Sequence, residues 1–329
     1  MFRIRRISSA LALLILFVPQ LHAQRLAHTF SIVARDSVTG DMGVAVQSHW
    51  FSVGSSVTWA EAGVGAIATQ SFIDPSYGAF GLALMRSGKT ANEALKGLLA
   101  ADAHPEVRQV AFVDAKGNVA VHTGSMAIEA AGQHPGRGYS AQSNLMFKPT
   151  VPDAMARAYE NTKGDLAERL LAALDAAQAE GGDIRGRQSA AILIVKGTST
   201  GQPWNDKLFD LRVEDHPEPI KELRRLVNLA RAYQHMNAGD EAVTRNDIPG
   251  AVHEYSTAEQ MVPDSLTNGE MVFWHAVTLA VAGKVDESLP LFRRAFAQDE
   301  KWRELVRRLP KAGQLPNDTA MVRRLTSVH

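Results

Sequence analysis

The chain has 329 residues, with 35 Lys and Arg against 35 Asp and Glu, and no cysteine. A balanced charge provides no net field to draw in nucleic acid or an anionic surface. The missing cysteine excludes disulfides, thiolate metal ligands and a thiol nucleophile. The length suits two domains with ample material for a core.

Arg3, Arg5 and Arg6 precede an apolar run over residues 7–18, and Leu21-His-Ala23 puts a small residue before Gln24. This is the pattern of a signal peptide over residues 1–23, too short to span a bilayer comfortably. No later segment is long and apolar enough to span, so the expectation is an exported protein, periplasmic or extracellular, free of the membrane after cleavage.

Thr29-Phe-Ser-Ile-Val-Ala-Arg-Asp36 alternates, with Thr29, Ser31 and Val33 on one face and Phe30, Ile32 and Ala34 on the other. Asp36-Ser-Val-Thr-Gly40 reads as a turn and residues 42–48 as the returning strand. Residues 55–60 and 64–70 are further strand candidates. A helix follows over 80–87, and another over 91–101 opens on the capping box Thr90 and Glu93. Residues 108–113 and 119–123 form a hairpin about Asp114-Ala-Lys-Gly-Asn118. The polar, glycine-rich stretch 132–138 reads as a loop before a strand at 139–145.

A helix over 153–161 and an amphipathic one over 165–180 come next, the latter carrying Leu166, Leu170, Leu171 and Leu174 on one face. Residues 189–195 are the most hydrophobic strand, expected to be buried on both faces. Residues 208–213 are a candidate closing edge. Groups of strands separated by pairs of helices predict an α+β fold, a four-layer αββα sandwich over residues 24–214.

Two prolines in Asp215-His-Pro-Glu-Pro219 mark a linker over 215–220, and residues 221–329 read as helical. Ile248, Val252, Tyr255 and Ala258 recur about 37 positions later as Val285, Leu289, Phe292 and Ala295. The pattern resembles a tetratricopeptide repeat, whose period is about 34. Two copies are fewer than a solenoid needs, so this segment is expected to pack on the first domain, on a protein partner or on a second copy.

Gly197-Thr-Ser-Thr-Gly201 matches a nucleophile elbow, yet Gln202-Pro-Trp does not start a helix. Gly63-Val-Gly-Ala resembles a dinucleotide fingerprint, yet strand-type residues follow where a helix is required. His49, His104, His122 and His134 have no metal-ligand spacing, and no cofactor motif is present. Basic and aromatic interleaving of the kind that binds nucleic acid is missing too.

Three polar clusters fall at strand ends: Thr69-Gln70-Ser71, Gln142-Ser143-Asn144, and a loop carrying Asp183, Arg185, Gln188 and Ser189. Polar groups there are costly unless paired, and together they suggest one shared pocket.

Thr29-Phe-Ser-Ile-Val-Ala-Arg-Asp36, Gly63-Val-Gly-Ala-Ile-Ala-Thr-Gln70, Pro75-Ser-Tyr-Gly78 and Gly182-Asp-Ile-Arg-Gly-Arg-Gln-Ser-Ala190 together resemble the domain of unknown function 1028 family, over about residues 29–213. That family is similar to the N-terminal nucleophile hydrolases. The resemblance implies a hydrolase of an amide or related acyl bond in a small molecule or peptide, with Thr29 as nucleophile activated by its own α-amine. It implies Asn144, Asp183, Arg185 and Gln188 as candidates for orienting the substrate or stabilising charge; Gln70 and Ser189 of the polar clusters complete the substrate-binding candidates, and no metal or cofactor is expected. Cleavage after Ala23 would leave Gln24-Arg-Leu-Ala-His28 ahead of Thr29, so a free amine requires a second cut. The alternative is a non-catalytic ligand-binding or scaffold protein with a helical interaction tail.

Overall fold

The structure, a computed structural model, describes residues 25–27 and 29–329. The signal-peptide expectation lies outside the described residues. The fold is mixed α and β, with two antiparallel sheets, many helices and a helical C-terminal region.

In chain order the first strands are β1 (Arg25–Ala27), β2 (Thr29–Arg35) and β3 (Met42–Ser48). Then come α1 (Gly54–Val57), β4 (Thr58–Glu61), β5 (Gly65–Ile73), α2 (Ser76–Arg86), α3 (Ala91–Ala101), β6 (Arg108–Asp114) and β7 (Val119–Thr123). The hairpin β8 (Gly132–Gly136) and β9 (Tyr139–Ser143) precedes α4 (Val151–Asn161), α5 (Leu166–Ala179), β10 (Ser189–Val195) and β11 (Lys207–Val213). One sheet runs β1-β5-β6-β7, with β4 also on β5; the other runs β11-β10-β3-β2-β9-β8.

The alternation in β2 decides what faces what. Val33, Val44 and Val46 from the second sheet share a buried cluster with Ala66, Ala68, Ala111 and Val113 from the first, so these faces pack together. Phe30, Ile32 and Ala34 turn the other way, onto Leu170, Leu171 and Leu174 of α5 and Met155 of α4. On the far side of the first sheet, Ile67, Val110 and Phe112 pack with Leu82 and Met85 of α2 and Leu95 of α3. Each sheet thus buries two faces, and β10 is apolar from Ala190 to Val195 because both of its faces are covered. The capping box at Thr90 forms as expected.

Two local expectations are corrected. Residues 54–57 form a helical turn, because Val53 and Val57 lie four apart and are both fully buried, a helical spacing rather than a strand one. Residues 132–136 form an edge strand rather than a loop. Each residue pairs with β9 on one side only, so polar side chains and Pro135 are tolerated there. In addition β5 runs on to Ile73, placing Thr69, Gln70 and Ser71 inside a strand rather than at its end.

Helix α6 (Pro219–Thr244) starts within the proline-rich stretch. Its Ile220, Leu223 and Val227 join Phe209 and Val213 in one cluster. Arg224 pairs with Glu168 and Asp175, and Arg231 with Asp165 and Glu168, fastening α6 to α5. Helices α7 (Ile248–Met261), α8 (Glu270–Val281), α9 (Val285–Gln298), α10 (Lys301–Arg308) and α11 (Thr319–Thr326) complete the chain. Residues Ile248 and Val285, paired in the sequence repeat, are the first residues of α7 and α9. Among the described residues no helix is long and apolar enough to cross a membrane.

Candidate active site

Register brings the polar residues to one end of both sheets. Thr29 of β2 lies opposite Ser48 of β3, which lies opposite Ser189 of β10. In the facing sheet, Gln70 of β5 lies opposite Gln109 of β6, and Gln109 opposite Thr123 of β7. Thr29, Ser31, Gln70, Gln109 and Asn144 are all fully buried.

A hydrogen-bond network crosses between the sheets. Gln142 Nε2 donates to Ser31 Oγ at 2.7 Å, and Ser31 Oγ donates to Gln70 Oε1 at 2.5 Å. Gln70 Nε2 donates to Gln109 Oε1 at 2.7 Å and to the Thr29 carbonyl at 3.2 Å. Asn144 Nδ2 reaches the same Gln109 Oε1 at 2.8 Å, while the Asn144 amide donates to the Thr29 carbonyl at 3.1 Å. Gln109 Nε2 in turn serves Thr123 Oγ1 and the Ser143 carbonyl, both at 2.9 Å, and the Gly132 carbonyl at 3.2 Å. Every side chain in this set is uncharged. In a water-poor interior such bonds specify one arrangement, because leaving any member unpaired is costly.

Two residues beside this network hold left-handed backbone without being glycine. Ser71, next to Gln70, has φ 69°, and Leu145, next to Asn144, has φ 58°. Such conformations cost about 1–3 kcal/mol each and gather at functional sites. Ser71 is also fully buried, and its Oγ has no hydrogen-bond partner among the described residues.

The candidate residues from the sequence separate into three groups. Gln70 and Asn144 meet at Gln109 and at the Thr29 carbonyl. Asp183 and Arg185 form an ion pair on the loop before β10, Nη2 to Oδ2 at 2.7 Å and Nε to Oδ1 at 3.0 Å. Asp183 also accepts the His49 amide at 3.1 Å, which anchors that loop to the chain just after Ser48. Ser189 and Gln188 hold the scaffold: Ser189 Oγ donates to the Trp50 carbonyl and accepts the Val53 amide at 3.1 Å. The Gln188 amide donates to the Ser48 carbonyl at 3.2 Å, and its carbonyl accepts the His216 amide at 2.7 Å.

Sequence reasoning missed Gln109, the hub. Its signal was legible: it alternates with Ala111 and Val113, a polar side chain on an otherwise apolar face. Among the described residues no three side chains of metal-ligating type gather where they could hold an ion.

Arg108 braces the end of β5 behind the network. Its Nη1 donates to the Phe72 carbonyl at 2.7 Å and its Nε to Asp102 Oδ2 at 2.7 Å, while Tyr77 Oη donates to the same Oδ2 at 2.9 Å. Burial pushes the Asp102 carboxyl up, but the Arg108 guanidinium, the His104 amide and the Tyr77 hydroxyl outweigh it and hold the carboxyl below its ordinary 3.8. A group depressed in this way contributes its stability above the unfolded value and loses it as pH falls through the lower folded value. Stability is therefore expected to drop below about pH 4. Asp102→Asn should narrow the difference between urea midpoints measured near neutrality and in acid; an unchanged difference would assign the acid loss elsewhere.

No curated protein matches the chain. It is similar to the crystal structure of a DUF1028-family protein from Silicibacter pomeroyi, at 30% identity and a TM-score of 0.55, over 65% of this chain and 92% of that one. The family model of unknown function DUF1028 matches residues 29–223, more than half of the sequence, and the chain belongs to that family.

Proposed function

We propose that the protein is an exported, latent amide hydrolase of the N-terminal nucleophile type, built on an αββα sandwich, whose site opens when the chain is cut before Thr29. The observation that carries this is the position of Thr29: first residue of a central strand, fully buried, its carbonyl held by Gln70 of β5 and by the amide of Asn144, which follows β9. The strained backbone at Ser71 and Leu145 supports the same reading.

In the opened chain, Thr29 Oγ attacks the carbonyl carbon of an amide while the freed α-amine takes its proton. The C–N bond then breaks, the proton passes to the leaving nitrogen, and water releases the acyl group from Thr29. The uncharged amides around Thr29 suit a neutral acyl or peptide group, oriented by Gln70 and Asn144. Asp183 and Arg185 are assigned to the rim.

The test compares two purified chains, one beginning at Gln24 and one released from a fusion so that it begins at Thr29. Both are assayed against a panel of peptide amides and acyl anilides. Turnover confined to the Thr29-first chain is expected. No turnover, with mass spectrometry verifying Thr29 at the amino terminus, would overturn the proposal.

A second reading rests on a separate observation. In the present chain Thr29 is sealed, and α6, α7 and α8, with the segment that follows α10, enclose a groove of about 980 Å³ lined by Tyr255, Trp274, Val277, Val281, Leu309 and Leu315. A scaffold protein with a tetratricopeptide-like interaction tail would have both features. An exported protein whose intact mass begins at Gln24 favours that reading.

A further inference from the structure

The edge of β5 is occupied in two pieces. β6 pairs along Gly65–Ser71 on one edge. β4 pairs with Gly65–Ala68 and β1 with Ser71–Ile73, so both must lie on the opposite edge. The two short strands leave between them Thr69 and Gln70, the latter a member of the buried network. β1 runs antiparallel, Arg25 opposite Ile73, Leu26 opposite Phe72 and Ala27 opposite Ser71. One residue later the chain enters the other sheet at Thr29.

We infer that the Ser71–Ile73 edge of β5 is a binding site for an extended peptide, filled in this chain by residues 25–27. The inference rests on the reading that the residues ahead of Thr29 are removed, and it names the substrate class of that site: a peptide rather than a small free amide. Removing β1 uncovers a row of backbone donors and acceptors, a ready template for another strand. Strand addition draws its affinity from main-chain hydrogen bonds and needs no preformed hydrophobic groove. The geometry also fixes where such a peptide points. A strand in the register of residues 25–27 delivers its next carbonyl to Thr29, because in the intact chain that carbonyl is bonded to the Thr29 nitrogen. Ser71 gives a second observation at the same place, its Oγ buried and without a partner among the described residues, and its φ of 69° held in the strand opposite Ala27.

The test uses a blocked synthetic pentapeptide of the sequence Gln24-Arg-Leu-Ala-His28 and chains carrying Thr29→Ala, so that binding is read without turnover. Calorimetry is expected to show binding to the chain that begins at position 29, and binding at least about tenfold weaker to the chain that begins at Gln24. In an antiparallel pair successive amides point alternately toward and away from the neighbour. Methylating the Leu26 nitrogen, or those of Arg25 and Ala27 together, should therefore give opposite results: one pattern loses about tenfold or more, the other little. If the short chain fails to fold, the same titration is run on full-length protein cut between residues 28 and 29 after folding. Equal binding to both chains, no binding to the opened chain, or identical responses to the two methylation patterns would overturn the inference. Binding with the expected alternation but no hydrolysis in the Thr29 chain would leave the peptide site standing and remove the enzyme reading alone.

Discussion

In the chain that begins at Thr29, replacing Thr29 with Ala is expected to lower amide hydrolysis by about 10⁴-fold or more, since in the proposed mechanism the residue supplies the attacking oxygen. Thr29→Ser keeps an oxygen in place and should retain a measurable fraction. Neither change removes the carbonyl that Gln70 and Asn144 hold, because that carbonyl belongs to the backbone. The loss of two buried side-chain atoms is expected to cost only about 1 kcal/mol of stability in urea titration. The separation of a large kinetic effect from a small stability effect is what identifies a nucleophile. If Thr29→Ala hydrolyses as well as the parent, residue 29 is not the nucleophile, whatever the chain's amino terminus.

The second large effect is on stability, at Gln109. Gln109→Leu keeps the approximate volume and removes the acceptor shared by Gln70 and Asn144, along with the donor to three further groups. Stranding several buried polar groups at about 1–3 kcal/mol each, with some repairing themselves, predicts a loss of about 4 kcal/mol. Gln47 is the internal control. It is also fully buried, but neither of its side-chain amide atoms has a partner among the described residues, and its neighbours on that face, Ala45 and Phe30, are apolar. Gln47→Leu is therefore expected to be neutral or stabilising by about 1 kcal/mol. Two buried glutamines with opposite responses to the same substitution would validate the network; equal responses would contradict it.

These two positions also show where sequence reading reaches. Alternation in residues 29–36 correctly assigned Thr29, Ser31 and Val33 to one face, because side-chain direction in a strand has period two whatever the neighbours are. The helix over 91–101 was legible from its cap, and β10 from its unbroken apolar run, because both signals are local. Residues 54–57 and 132–136 were misread, since a four-residue helical turn and a polar edge strand carry too few residues to establish a period. The Gly54-Ser-Ser-Val57 stretch between β3 and β4 is helical because Val53 and Val57 have a common surface to bury against.

The sequence by itself determined the supply of parts: a basic then apolar run at residues 3–18, a threonine opening the first long strand, polar clusters where apolar residues were due, and a helical tail with a repeated pattern. Only the tertiary structure decided which polar residues meet. Gln70 and Asn144 reach Gln109 across 39 and 35 positions of chain, a juxtaposition that sheet order and register create and that no local pattern encodes. It likewise sent Gln188 and Ser189 to hold backbone instead of joining that network, and laid residues 25–27 along β5. The physical reason is that period and propensity act over a few residues, whereas strand pairing is settled by which faces can be buried together.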